Sequence, residues 1–276
     1  MTMEDDGDAI RDVALIRVAP AAAVAGRDAV AREEPLEIQV RGVPVAVVMR
    51  TPGHDEELAR GFLVTERVVR AADEITAVRH CRVVEDPDAE DNVIAVSLRG
   101  DVALDLEALR RNLFTSASCG ICGKASIEQA LAVAPPLDDP SAVAPDVVRA
   151  VMAQLAAAQP VFAVTGGLHA AGLFTAGGEL LVVREDVGRH NAVDKVIGWA
   201  LAQGALPLAG HVLAISGRIS FEIVQKALAA RIPIIAAVSA PSSLAVDLAE
   251  RAGIALVGFA RGERFNVYGK RNRVSQ

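Results

Sequence analysis

The sharpest chemical signal in the chain is a pair of thiols three residues apart. It is Cys119-Gly120-Ile121-Cys122, set in the small-residue stretch Ser116 to Lys124. Such a pair can bind zinc, exchange disulfides, carry a persulfide or sit inert, and its surroundings sort these readings. A structural zinc site takes four ligands. Beyond the pair, the sequence offers only Cys81 and five scattered histidines, with no H-x3-5-H spacing. A thioredoxin-like pair would follow a strand and open a helix, whereas this one follows a predicted helix and lies in a predicted loop. Inert cysteines usually lie in apolar surroundings, and this loop is not apolar. Between Ala108 and Ile127 there is no Asp or Glu, while Arg110, Arg111 and Lys124 are present. Nearby cations lower a thiol pKa, and the thiolate is the form that attacks a sulfane sulfur. Gly120 and Gly123 allow close approach by a partner. A flexible tether would let Cys119 visit a donor and an acceptor, with Cys122 resolving or shielding the persulfide.

A second set of polar residues stands at predicted strand ends. The segments are Ser216-Gly217-Arg218, then Ser239-Ala240-Pro241-Ser242-Ser243, then Phe259-Ala260-Arg261-Gly262-Glu263-Arg264. Ligands of parallel sheets bind outside the carboxyl ends of the strands. The first two segments also open helices, whose free N–H groups suit phosphate. Arg218, Arg261 and Arg264 offer bidentate contacts to phosphate, and Glu263 offers an acceptor for guanine-type donors. Ser242 alone reads better as a helix N-cap. Lys270, Arg271 and Arg273 add positive charge behind this set.

A third cluster is Arg184-Glu185-Asp186-Val187-Gly188-Arg189-His190-Asn191. Asp186 suits an N-cap for the following helix. His190 and Asp194 are i, i+4 and could form an ion pair, either structural or lining a site. His169, in Gly166-Gly167-Leu168-His169-Ala170-Ala171, resembles the H-x-E of zinc deaminases. Ala171 replaces the acid, however, and no Pro-Cys-x-x-Cys follows, which argues against deaminase chemistry.

Patterning supplies the elements that must position these residues. Residues 1–35 read as a disordered or extended tail, with low-complexity sequence from Ala19 to Ala25. Glu37 to Val40 and Val43 to Met49 flank Arg41-Gly42 as a hairpin. A helix follows Thr51-Pro52-Gly53, with Asp55, Glu56 and Glu57 in its first turn. Strands are expected at 77–84 and 93–98 and a helix at 102–112. Pro135, Pro136, Pro140 and Pro145 mark a linker. It divides an N-terminal α+β part (36–134), carrying the thiol loop, from a C-terminal α/β part (145–276). In the latter, helices are predicted at 144–158, 189–201, 219–230 and 242–252. A hairpin is predicted at 168–174 and 179–184, and strands at 211–215, 234–238 and 254–259. Continuous apolar strands alternating with helices imply parallel strands covered on both faces.

Composition agrees with this plan. Hydrophobic residues make up 52% and aromatics 3% of 276 residues, so Ala, Val, Leu and Ile must build the core. The net charge of −7 argues against non-specific nucleic-acid binding. No stretch approaches the roughly 20 apolar residues of a membrane span, and the N-terminus lacks the pattern of a secretory signal. Three cysteines fit a reducing, cytoplasmic setting.

Taken in order, the segments at 116–123, 166–171, 184–195, 216–218 and 258–268 resemble the formate dehydrogenase accessory sulfurtransferases, the FdhD family. The resemblance runs from about Leu36 to Tyr268 and leaves out the acidic N-terminus and Cys81. It implies an α/β fold with a cytidine-deaminase-like core, a homodimer, and Cys119 as persulfide carrier. It implies sulfur taken from a cysteine desulfurase and passed to a molybdenum or tungsten bis(guanine dinucleotide) pterin cofactor. That cargo would be held at Phe259, Ala260, Arg261, Gly262, Glu263 and Arg264 and destined for formate dehydrogenase.

Overall fold

A computed structural model describes residues 9–20, 22–81, 91–103, 127–128, 130–131 and 134–275. The Cys119–Cys122 loop, most of the helix expected at 102–112, and the acidic turn at 85–90 lie outside these residues.

Twelve strands form three sheets among the described residues. β1 (Ile10–Ala19) and β2 (Ala22–Ala31) make an antiparallel ribbon of ten paired positions. Of the disordered or extended tail expected there, residues 10–31 are the extended form, paired as a ribbon although 19–25 reads as low in complexity. β3 (Glu34–Val40), β4 (Val43–Arg50), β5 (Ile75–His80) and β6 (Val93–Leu98) form a four-stranded sheet ordered β4-β3-β6-β5. Its hairpin at Arg41-Gly42 has both turn residues at positive φ, 52° and 75°, which suits glycine at the second position.

The six-stranded sheet is ordered β12-β11-β10-β9-β7-β8. It contains β7 (His169–Thr175), β8 (Leu180–Asp186), β9 (His211–Ile215), β10 (Ile234–Ala237), β11 (Ala255–Arg261) and β12 (Arg264–Gly269). β9, β10 and β11 run parallel, as their apolar runs required. β7 and β12 pair antiparallel to β9 and β11, so the whole sheet is mixed. The sequence pattern predicts no strand over β12, because an edge strand needs only a partial apolar face.

Side chains leave this sheet alternately, and both faces are covered. On one, Val212, Ala214, Ile234, Ala236 and Val257 meet Val148, Val151 and Leu155 of α2 (Pro145–Ala157). On the other, Leu213, Ile215, Ile235 and Leu256 meet α4 (Arg189–Ala202), α5 (Phe221–Ala230) and α6 (Ser243–Ala252). A short α3 (Pro160–Thr165) precedes β7. The same core continues into α1 (Asp55–Thr65) and the four-stranded sheet through Leu58, Phe62, Leu36, Ile38 and Ile94.

Two glycines set the approach of α1 and α4. A Cβ at Gly198 would stand 1.8 Å from the Glu57 carbonyl oxygen, and one at Gly61 would stand 1.7 Å from that of Asp194. The proline-rich linker is strapped down: Leu137 N donates to Ala252 O, Val143 N to Arg273 O, and Gly210 N to the Asp139 carboxylate.

Candidate functional site

The topology carries the polar segments to one edge of the six-stranded sheet. β9 and β10 end there, in Ser216–Arg218 and Val238–Ser243. β7 runs the opposite way, so His169 begins at this edge, and its register partner on β8 is Asp186, next to the Arg189–Asn191 helix start. The Ser216 amide donates to Ala170 O, and the Ala170 amide donates to Ser216 Oγ at 2.8 Å. Ile219 and Pro241 join the β9 and β10 ends by a bridge.

At the β11 end, Phe259 has φ 55° and is 48% exposed. A left-handed conformation is uncommon for a bulky residue and marks a strained position held by its surroundings. Here the Phe259 amide donates to Ser239 O, and a bulge between Gly258 and Arg261 turns the strand. Gly258 is needed behind it, since a Cβ would meet Pro241 Cδ at 2.9 Å. Ala260 is buried against the α2 face. Arg261 donates through Nε to Val238 O at 3.0 Å, which ties β11 to the β10 end. Gly262 has φ 56° in the tight turn, and Arg264 stands across from Arg261. Glu263 is exposed and ion-paired with Arg149 of α2 at 3.1 Å. Arg149, whose guanidinium also lies 5.9 Å from the Phe265 ring centroid, gave no signal in the sequence because its helix position reads as surface.

The Arg184–Asn191 segment is fixed from beneath. Asp186 is fully buried and pairs with buried Lys195 at 2.8 Å. Its carboxylate also accepts from the amides of Thr51 and Gly188 and from Asn191 Nδ2. Gly188, not Asp186, is therefore the N-cap residue of α4, although Asp186 still serves its amide. Arg184 makes a two-pronged bond to Glu57 of α1.

His190 and Asp194 do not pair. Asp194, one turn deeper, takes Lys226 at 2.7 Å and the Thr65 hydroxyl at 2.9 Å. His190 Nε2 lies 3.3 Å from Ser220 Oγ and 4.0 Å from Glu222. Burial, then the charges of Lys226 and Arg189, push the His190 imidazole down to about 4. Burial and Arg189 also lower His169. Ser242 is the helix N-cap expected of it, its Oγ accepting from the Ala245 amide at 3.3 Å.

Among the described residues no cluster of three His, Cys, Asp or Glu could hold a metal ion, and no helix is long and apolar enough to cross a membrane. A concavity of about 540 Å³ lies away from this edge, at the base of the ribbon beside Arg11 and Glu34.

Fold and site define a mixed-sheet α/β protein with basic and other polar residues at its strand ends. The chain belongs to the FdhD/NarQ family, whose model matches residues 31–275. It is 51% identical over 255 residues to the sulfur carrier protein FdhD of Mycolicibacterium paratuberculosis, covering 91% of this chain and 94% of that one. Over 263 residues it is 49% identical to the sulfur carrier protein FdhD of Nocardia farcinica, covering 94% and 93%. A crystal structure described as a candidate formate dehydrogenase accessory protein from Desulfotalea psychrophila superposes with a TM-score of 0.75 at 26% identity. It covers 96% of this chain and 99% of that one.

Proposed function

We propose that this protein is a sulfur carrier that loads a persulfide on Cys119 and delivers its outer sulfur to a molybdenum or tungsten bis(guanine dinucleotide) pterin. The observation that carries the reading is the meeting of separate polar segments at one sheet edge, in a chain that also bears the Cys119-x-x-Cys122 pair. The names of its relatives support it.

In this reading the Cys119 thiolate attacks the outer sulfur of a desulfurase persulfide. A new S–S bond forms on Cys119, the donor's S–S bond breaks, and the donor cysteine leaves as thiolate. Arg110, Arg111 and Lys124 favour the thiolate, and Cys122 shields or resolves the product. The cargo is held by its phosphates and guanine at Phe259–Arg264. Arg261 and Arg264 supply cations there and Glu263 an acceptor. Formate dehydrogenase receives the sulfurated cargo, and the carrier works as a cytoplasmic homodimer. Its core is of the cytidine-deaminase-like kind, with Ala171 where the deaminase acid would stand. Residues 36–134 form the loop-bearing part and 145–276 the cargo-binding part.

A non-catalytic chaperone that only holds the cargo is the second reading, favoured by how fully the edge is organised around Phe259 and Arg261. Formate dehydrogenase maturation, with cargo retention and cargo sulfur measured separately, splits the two. For a carrier, Cys119→Ser abolishes sulfur content and keeps retention, whereas Arg261→Ala with Arg264→Ala weakens retention by about tenfold or more. Full dehydrogenase activity with Cys119→Ser contradicts the carrier and leaves the chaperone.

A further inference from the structure

We propose that the free edge of β5 takes an extended, acidic segment of a partner protein as an added strand. This surface belongs to the four-stranded sheet, and it does not depend on the function proposed above.

β5 is the last strand in the order β4-β3-β6-β5, so only one of its sides is paired. The Cys81 amide donates to Val93 O, and antiparallel pairing turns every second residue toward the partner strand. Ala77 and Arg79 therefore face β6, while the amides and carbonyls of Val78 and His80 point outward. These outward groups make no hydrogen bond among the described residues. A row of open backbone groups is a template for another strand. A concavity of about 200 Å³ lies against the same edge. It is lined by Arg60 of α1, Ile75 and Ala77 of β5, and Leu201 and Ala202 of α4. An added strand sends alternate side chains to opposite faces, and those on the helix side meet this mainly apolar floor.

Charge selects the occupant. Val78 is buried toward the helices, so Arg79 stands exposed on the opposite face, and Arg67 and Arg70 precede the strand. None of these three arginines forms an ion pair among the described residues. Burial, then the charges of Arg231 and Arg70, push Arg67 down to about 10, so the charges that act on it are cations. The nearby carboxylates are committed. Glu56 holds Arg60, Asp73 holds Arg99, and Glu74 accepts from the amides of Arg70 and Ala71. A second copy of β5 would bring its own Arg79 to the edge, and a basic residue there keeps like strands apart. A carboxylate across from Arg79 forms a favourable cross-strand pair instead. The segment that fits carries apolar side chains on one face and carboxylates on the other.

Three synthetic peptides of about ten residues test this on the full chain. One alternates valine and glutamate, one alternates valine and lysine, and the third is the valine–glutamate peptide with its backbone amides N-methylated. Fluorescence anisotropy reads affinity, and amide exchange followed by NMR reads the edge. In the free protein the Val78 and His80 amides should exchange quickly and those of Ala77 and Arg79 slowly. Slow exchange at Val78 and His80 means an edge already covered and overturns the proposal. The valine–glutamate peptide should bind with a Kd below about 1 mM and protect both outward amides, whereas lysine or N-methylation should cost about tenfold or more. Arg79→Glu should reverse the preference between the glutamate and lysine peptides. Ala202→Arg, at an exposed helix position, should melt like wild type yet fill the floor and weaken the glutamate peptide. No binding by wild type, equal binding of the N-methylated peptide, or an unchanged preference in Arg79→Glu overturns the added strand.

Discussion

At the residue scale, the molecule separates groups that face the edge from groups that hold it in place. Asp186, Lys195, Asp194 and Lys226 are paired in the interior, where removing one partner of a charge pair is strongly destabilising. His190 is different, since it is only partly covered and is held neutral by burial and by Lys226 and Arg189. Its folded pKa of about 4 lies below the ordinary histidine value, so the unfolded chain binds the extra proton first. Its contribution is complete above about pH 6.5 and is lost as pH falls toward 4. Thermal melting of wild type and His190→Gln across pH 4–7 should show a steeper acid loss in wild type. Parallel curves contradict this assignment. The identity of these groups was legible in the sequence, but their partners were not. The i, i+4 spacing of His190 and Asp194 suggested a pair, yet tertiary neighbours on α1 and α5 took each of them.

At the element scale, the close approach of α1 and α4 joins the four-stranded sheet to the six-stranded one. The Gly61 and Gly198 contacts leave no room for a methyl group. Gly198→Ala gains roughly 1 kcal/mol of helix propensity. It loses more through backbone displacement, since overpacking costs about 1–3 kcal/mol and here the obstacle is main chain. A net fall in denaturation midpoint is therefore expected, and an unchanged or raised midpoint contradicts the packing. Periodicity made α1, α4 and the β9–β10–β11 run readable, because their apolar patterns are long and both sheet faces are buried. The ribbon and β12 were not readable. Their stability comes from cross-strand partners, and their sequences carry little pattern of their own.

At the scale of the whole molecule, strands of opposite direction bring distant segments to one edge. Residues 169, 186–190, 216–220, 239–242 and 259–261 are spread over nearly a hundred positions and meet there because β7 runs against β8, β9, β10 and β11. The sequence placed 216–218, 239–243 and 259–264 at strand ends and singled out His169 and 184–191 without placing them there. It left the direction of β7 open, so the presence of His169 and Arg189 at the same edge required the fold. In the function proposed here, the thiol pair adds the chemistry that such an edge lacks, a nucleophile able to carry sulfur. The central claim is that Cys119 carries it. The direct measurement is to incubate the reduced protein with a cysteine desulfurase and cysteine, then take intact and peptide masses. One added sulfur on Cys119, absent in Cys119→Ser, is the predicted result. No added sulfur with an active donor present contradicts the claim.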